Sequence, residues 1–350
     1  MILNAYSVLA AFVGILELGL GAFVAILSAR ALRRRRGGAS PGEDLRESHL
    51  PLLLLAAGAL LVVSVAAWPL LYLLLDSYVP QWEDVMCIQG VVRIGTGSAG
   101  PAGWMPLLVA ALQVTKPLLV FAMGTALVVH LANRRTTTAP LSGRLLATLV
   151  AAGALAVLDA GVELAYLAIP KEDPSLSRGC CTLSAGGAET DAAQRGDAST
   201  EAARALRTRL LAGFGFAMLS MAGWTWYAAR RSRGGPTHAR RGTLALFLAA
   251  LATLPLGVIF LREVAAPAFL GLPEHHCAYC LVTSAPLGLL DIGLFLLGVF
   301  ATCWACLLRW LAGVDETQDF LPSRVASLLC TGLFGWMGAA LLTSVRLAIA

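Results

Sequence analysis

Charge is scarce in this chain. Asp, Glu, Lys and Arg make up 13% of its 350 residues, about half the share found in average soluble domains. Hydrophobic residues reach 58% and the mean hydropathy is +0.75, which excludes a water-soluble fold built around one core. Several catalytic signatures are also missing. There is no Gly-x-x-x-x-Gly-Lys-Ser/Thr phosphate cradle, no His-Glu-x-x-His, no Gly-x-Ser-x-Gly elbow and no Cys-x-x-Cys-His. ATP-driven transport, proteolysis and covalent haem attachment therefore have no support. The first half of the chain does not repeat convincingly in the second, which argues against a transporter built from internal repeats.

What is present is hydrocarbon-length apolar sequence. A membrane-crossing helix needs about 20 mainly apolar residues, and eight stretches qualify, near 5–29, 51–75, 106–131, 144–169, 207–229, 243–268, 281–308 and 325–349. The expected fold is an all-α polytopic membrane helix bundle of about eight spans, forming a single integral membrane domain over 1–350. The longest segment between spans, 170–206, is rich in Ala, Gly, Ser, Thr and Asp. It has no apolar periodicity from which a further domain could be built, and reads as a flexible outer loop.

Orientation follows from arginine, because connections on the cytoplasmic side carry the positive excess. The connections 30–48, 132–144, 230–241 and 309–324 hold 16 of the 26 basic residues and alternate along the chain. Both termini are then expected outside the cytoplasm, in an integral membrane protein of the bacterial inner (cell) membrane. The first span has an Arg run after it and no basic residue before it, the reverse of a cleavable leader, and is expected to be retained. Arginine beside a lipid bilayer accounts for the net charge of +5, and no nucleic-acid partner is called for.

With that topology Cys87, Cys180, Cys181, Cys277 and Cys280 all face outward, where disulfides persist. Cys303, Cys306 and Cys330 fall at the inner ends of the last two spans and read as small apolar packing residues. The sharpest local feature is Glu274-His275-His276-Cys277-Ala278-Tyr279-Cys280, immediately before span seven. A Cys-x-x-Cys at a helix start gains thiolate stabilisation from the helix dipole, which favours disulfide exchange. Alternatively, His275, His276, Cys277 and Cys280 offer a nitrogen and sulfur set suited to a soft transition metal. A structural disulfide without turnover is a third reading. The adjacent Cys180 and Cys181 bridge each other poorly, since neighbouring Cα atoms are about 3.8 Å apart. Each is expected to bridge elsewhere or to hold a metal with the other, and Cys87 is a candidate third partner.

Cys277-Ala278-Tyr279-Cys280 leading into a membrane helix, with Cys87 upstream before a turn containing Gly95, Gly97, Ser98 and Gly100, resembles the layout of vitamin K epoxide reductase-like and DsbB-type membrane thiol oxidoreductases. The resemblance covers two short pieces of the chain. It implies that Cys277 and Cys280 exchange electrons with a quinone while Cys87 shuttles disulfides to an extracytoplasmic thiol protein. Those families use four or five spans, and here a partner for Cys87 would have to come from Cys180 and Cys181.

Ionisable residues inside spans form a second constellation, because charge in hydrocarbon is costly and turns to a protein interior or a wet cavity. They are Glu17, Lys116, Asp159, Glu163, Arg262, Glu263 and Asp291. Asp159 and Glu163 stand four apart, on one helical face, positioned to relay protons, bind a cation or capture Lys116 or Arg262. Buried ion pairs that only orient helices would use the same residues. In span one, Ser7, Gly14, Gly21 and Ser28 recur every seven residues beside Ala11 and Ala25, a small-residue stripe for close helix contact that Glu17 flanks. In span seven, Cys280, Ser284 and Asp291 share a face, Pro286 being tolerated near a helix start, with Asp291 as proton acceptor below the Cys-x-x-Cys and that face turned toward Asp159 or Glu163. Three functions are compatible with these features: thiol–disulfide redox exchange at the outer face, binding or transport of a soft cation, and an accessory membrane subunit whose cysteines staple its loops.

Overall fold

In hydrocarbon every backbone N–H and C=O needs a partner within the protein, so long apolar segments resolve into helices. The computed structural model describes residues 4–36, 50–82, 85, 87–95, 100–170, 198–233, 240–271, 277–284 and 287–349, and its longer regular elements are all helices. They fall in two compact units, Met1–Leu183 and Ser184–Ala350. The first holds α1 (Ala5–Arg36), α2 (Leu50–Tyr78), α3 (Ile88–Arg93), α4 (Met105–Asn133) and α5 (Ser142–Ala168). The second holds α6 (Ala198–Arg233), α7 (Arg240–Phe260), α8 (Ala266–Leu270), α9 (Ala278–Ser284), α10 (Leu287–Ala312) and α11 (Leu321–Ile349).

Seven helical stretches among the described residues are long and apolar enough to cross a membrane: Ala5–Arg35, Leu50–Gln81, Pro101–Asn133, Ser142–Ala168, Gly242–Leu270, Leu287–Ala312 and Leu321–Ile349. The remaining expected span, near 207–229, lies within α6, where Gly213, Gly215, Gly223, Trp224, Trp226 and Tyr227 dilute the aliphatic content. Helix α6 nevertheless runs beside its neighbours in the second unit. Phe214 stacks on Phe260 near the end of α7, with ring centroids 4.0 Å apart. Further along α6, Trp224, Tyr227 and Ser232 line a cavity with Gly242 and Thr243 at the start of α7. The two helices are thus antiparallel over most of the length of α7. The surfaces of both units are greasy in the manner of lipid-facing helices, with Leu55, Phe216 and Leu341 each more than two-thirds exposed.

Packing in the first unit is set by small residues. Along α1 the buried positions are Ser7, Ala10, Gly14, Glu17, Gly21, Val24, Ser28 and Ala31, a strict alternation of three- and four-residue steps that places one narrow seam inward. That seam meets α5 in antiparallel register. A Cβ built on Gly21 would lie 2.8 Å from the Cβ of Ala156, and one on Gly153 would lie 2.7 Å from the Gly21 carbonyl oxygen. The two backbones approach so closely only because neither carries a side chain there. Helix α2 runs antiparallel to α1, since Asn4 Nδ2 donates to Ser77 Oγ at 2.9 Å and Ser64 faces Glu17. In the second unit Gly298 on α10 meets Trp336 on α11, and Trp336 Nε1 donates to Thr302 Oγ1 at 3.1 Å.

The glycine contact gives a direct test. Gly153→Val should overpack the α1–α5 seam by about 1–3 kcal/mol and lower the thermal unfolding midpoint of detergent-solubilised protein. Gly161→Ala, on the exposed side of the same helix where a Cβ meets nothing within 4 Å, should leave it unchanged. Equal midpoints for the two variants would rule out packing of α1 on α5 through this glycine.

Candidate functional site: a buried charge cluster and a cysteine pair

Four helices of the first unit converge on one lysine. Lys116 on α4, 1% exposed, places its Nζ 2.9 Å from Asp159 Oδ2 and 2.6 Å from Glu163 Oε2 on α5. The i, i+4 spacing turns both carboxylates to the same side of α5, so a single ammonium bridges them. Asp159 accepts a second hydrogen bond on Oδ1 from the Thr115 hydroxyl. Glu17 completes the group from α1. Glu17, Asp159 and Glu163 are all 0% exposed, and each offers a carboxylate oxygen within 4.8 Å of the others. Ser64 Oγ on α2 lies 3.2 Å from Glu17 Oε1 and 2.8 Å from the Leu60 carbonyl. Its one hydrogen serves one acceptor or the other.

The Gly21–Gly153 contact is what places Glu17 here. Gly14 packs on Leu164 and Gly21 on Ala156, so Glu17 between them falls level with the Asp159–Glu163 turn. At 1.5 Å per residue, Glu17 lies about 18 Å from the start of α1, Lys116 about 17 Å from the start of α4 and Asp159 about 14 Å from the end of α5. The cluster therefore sits near the middle of a hydrocarbon layer about 30 Å thick. Three carboxylates surround one ammonium, and the Oε2 of Glu17 and the Oε1 of Glu163 are buried without a hydrogen-bond partner.

Asp291 has a partner that its spacing did not show. Cys280 lies in the described run Ala278–Ser284 and Asp291 in Leu287–Ala312, and residues 285–286, through which the expected shared face runs, lie outside the described residues. Asp291 pairs with Arg346 of α11, whose Nη1 lies 2.7 Å from Oδ2 and whose guanidinium stacks 3.9 Å from the ring centre of Phe269. Arg346 escaped the sequence reading because it stands near the end of the last span, where a charge is ordinarily solvated. The need of a buried Asp291 for a cation was the signal that would have found it. Ser64 and Thr115 were missed for another reason: a hydroxyl in a membrane helix commonly bonds its own backbone, and spacing alone does not reveal which hydroxyls turn to a carboxylate. Arg262 and Glu263 lie in a π-helical turn, Leu261–Ala265, within the expected span six; Arg262 is exposed and Glu263 half-buried.

Cys277 is buried and Cys280 half-buried, with their Sγ atoms within 4.8 Å of each other. Cys277 immediately precedes α9. Cys87 is buried at the start of α3, where its carbonyl accepts from Gly90 N at 2.9 Å. The following turn depends on Gly95 at φ +82°, where any Cβ would strike the Ala102 carbonyl. Cys303 and Cys306 are buried within α10, and Cys330 is exposed, accepting from Arg233 Nη2 at 3.6 Å. His275, His276, Cys180 and Cys181 lie outside the described residues.

Removing the ammonium should expose the cost of the cluster. Lys116→Met is expected to destabilise the protein by about 3–5 kcal/mol, the range for breaking a buried pair while leaving its partners charged. Adding Asp159→Asn and Glu163→Gln should restore most of the loss. The measurement is thermal unfolding in detergent, and a triple variant no better than Lys116→Met would show that the lysine acts through packing alone. Comparison with protein-family models, curated proteins and solved structures finds no match to this chain.

Proposed function

We propose that this multi-pass membrane protein carries out thiol–disulfide exchange at the outer face of the membrane, with Cys277 and Cys280 as its redox pair. The observation that carries the proposal is the approach of the two sulfurs to within 4.8 Å. Rotation about the side-chain torsions can close that distance to the roughly 2.05 Å of a disulfide. The pair also differs from the chain's other Cys-x-x-Cys. Cys303 and Cys306 are sealed inside α10 at 0% and 2% exposure, whereas Cys280 reaches the surface. Attack by a thiolate needs such access.

In this reading the Cys277–Cys280 disulfide accepts two electrons from a reduced extracytoplasmic thiol protein. A mixed disulfide forms, the partner leaves oxidised, and Cys277 and Cys280 become thiols. A quinone in the bilayer then takes two electrons and two protons, becomes a quinol, and restores the disulfide. Cys87 is the proposed relay between partner and pair, with Cys180 and Cys181 as further exchange residues. The arginine-rich connections support an orientation in which all of these lie outside the cytoplasm of a bacterial cell, with both termini on the same side. A second reading rests on the same approach: two sulfurs at this separation also suit ligation of a soft metal, at about 2.3 Å from each for zinc.

Alkylation with a mass-tagged, membrane-impermeant maleimide decides between them. Intact cells treated first with reductant should gain tags on Cys277 and Cys280, and quinone added to purified protein should remove both reactive thiols together. Cys277→Ser should leave Cys280 permanently reactive and abolish reoxidation. Protection that is relieved by a chelator, with no response to quinone, would replace redox exchange by metal binding. Labelling only after lysis would invert the proposed orientation.

A further inference from the structure

The cluster of Lys116, Asp159, Glu163 and Glu17 is more highly charged than a helix-orienting ion pair requires. One ammonium and two carboxylates already satisfy the geometry between α4 and α5. Glu17 adds a third carboxylate from α1, fully buried and within 4.8 Å of the other two. With every group ionised, three negative charges against one positive leave two formal charges uncompensated in hydrocarbon, where even one is costly. Independently of charge, two oxygens of the group are orphaned: Glu17 Oε2 and Glu163 Oε1 are buried and accept nothing. An ionised carboxylate has only acceptor sites, so the two glutamates cannot serve each other as they stand.

We propose that the cluster is a proton-binding site in the middle of the first unit, in which Glu17 and Glu163 share an exchangeable proton. A single proton changes both defects at once. It turns one orphaned acceptor into an O–H donor facing the neighbouring carboxylates, and it lowers the uncompensated charge from two to one. Like charges crowded together in a buried site disfavour full ionisation, so that one carboxylate takes up a proton. The charged groups that act on Glu17 are Lys116 on α4 and Asp159 and Glu163 on α5, and Ser64 on α2 supplies a neutral hydroxyl. Asp159 is held by Lys116 and Thr115, which leaves the two glutamates as the pair with capacity to spare. A metal cation fits less well. Lys116 Nζ stands 2.6 and 2.9 Å from two of the three carboxylates, so an ion coordinated by the same oxygens would be pressed against the ammonium.

The test is infrared difference spectroscopy of the purified full-length protein between acidic and alkaline buffer. A protonated carboxyl gives a C=O stretch separate from the amide bands and shifted in deuterated water. The expected result is a reversible carboxylic acid band that Glu17→Gln removes or displaces, and that Glu163→Gln also changes because the proton is shared. Ser64→Ala keeps every charge and removes only the hydroxyl beside Glu17, so it should shift the frequency of that band without abolishing it. This variant keeps the test decisive if the charge-removing variants fail to fold. A band unaffected by all three substitutions would overturn the proposal. Loss of the band on adding sodium or calcium at constant pH would overturn it in favour of a metal site. Neither outcome depends on the thiol chemistry of the second unit.

Discussion

Hydrocarbon does not solvate an ammonium ion, and the position of Lys116 therefore dictates its surroundings. Its tip needs oxygens at hydrogen-bond distance, and α5 provides two from one face, four residues apart. That requirement fixes the register of α4 against α5. Helix α5 is held in turn against α1 by the glycine seam, which carries Glu17 to the same depth, and α2 closes the group with Ser64. The order of helices in the first unit thus reads as a set of walls around one cation. The α1 and α5 walls are brought close by glycine, and α5 supplies both oxygens that the ammonium meets.

The second unit meets the same constraint with a different solution. Gly298 on α10 lets the indole of Trp336 press against the helix backbone, and Thr302 takes its N–H. Its ion pair of Asp291 with Arg346 lies near the ends of two helices, and the guanidinium rests on the Phe269 ring. A long arginine side chain at a helix end can reach toward the polar boundary while its stem stays among apolar groups. Lys116 has no such escape, being sealed by four helices at 1% exposure. The two carboxylate–cation contacts therefore differ in kind: one is a peripheral clamp, the other a sealed core.

Much of this was legible from composition and period. Helix length and apolar content identify the spans because the bilayer imposes both. The seven-residue recurrence of small residues in α1 identified the face that packs, and the four-residue spacing of Asp159 and Glu163 identified the side of α5 that needed a cation. Residues at the margins of the pattern were harder to read. Trp224, Trp226 and Tyr227 make α6 less apolar than its length suggests, since amphipathic rings belong at an interface rather than in aliphatic hydrocarbon. The expected line from Cys280 to Asp291 runs through residues 285–286, outside the described residues, and projection along a helix did not show the cation that Asp291 meets on α11. Arg346 drew no notice in the pattern because charge near a helix end is ordinarily solvated. Only the tertiary fold turns it inward.

The glycine seam also bears on the order in which the protein is made. A membrane protein leaves the ribosome N-terminus first, yet α1 packs most extensively on α5, the last long helix of its unit to be synthesised. Lys116 precedes its two partners by 43 and 47 residues, and Glu17 precedes all three. The first helix must therefore enter the bilayer with its carboxyl unaccompanied and its glycine groove open, and wait through the synthesis of three more spans. Early insertion and late docking are separate events for this helix, and the oldest part of the chain is among the last to settle.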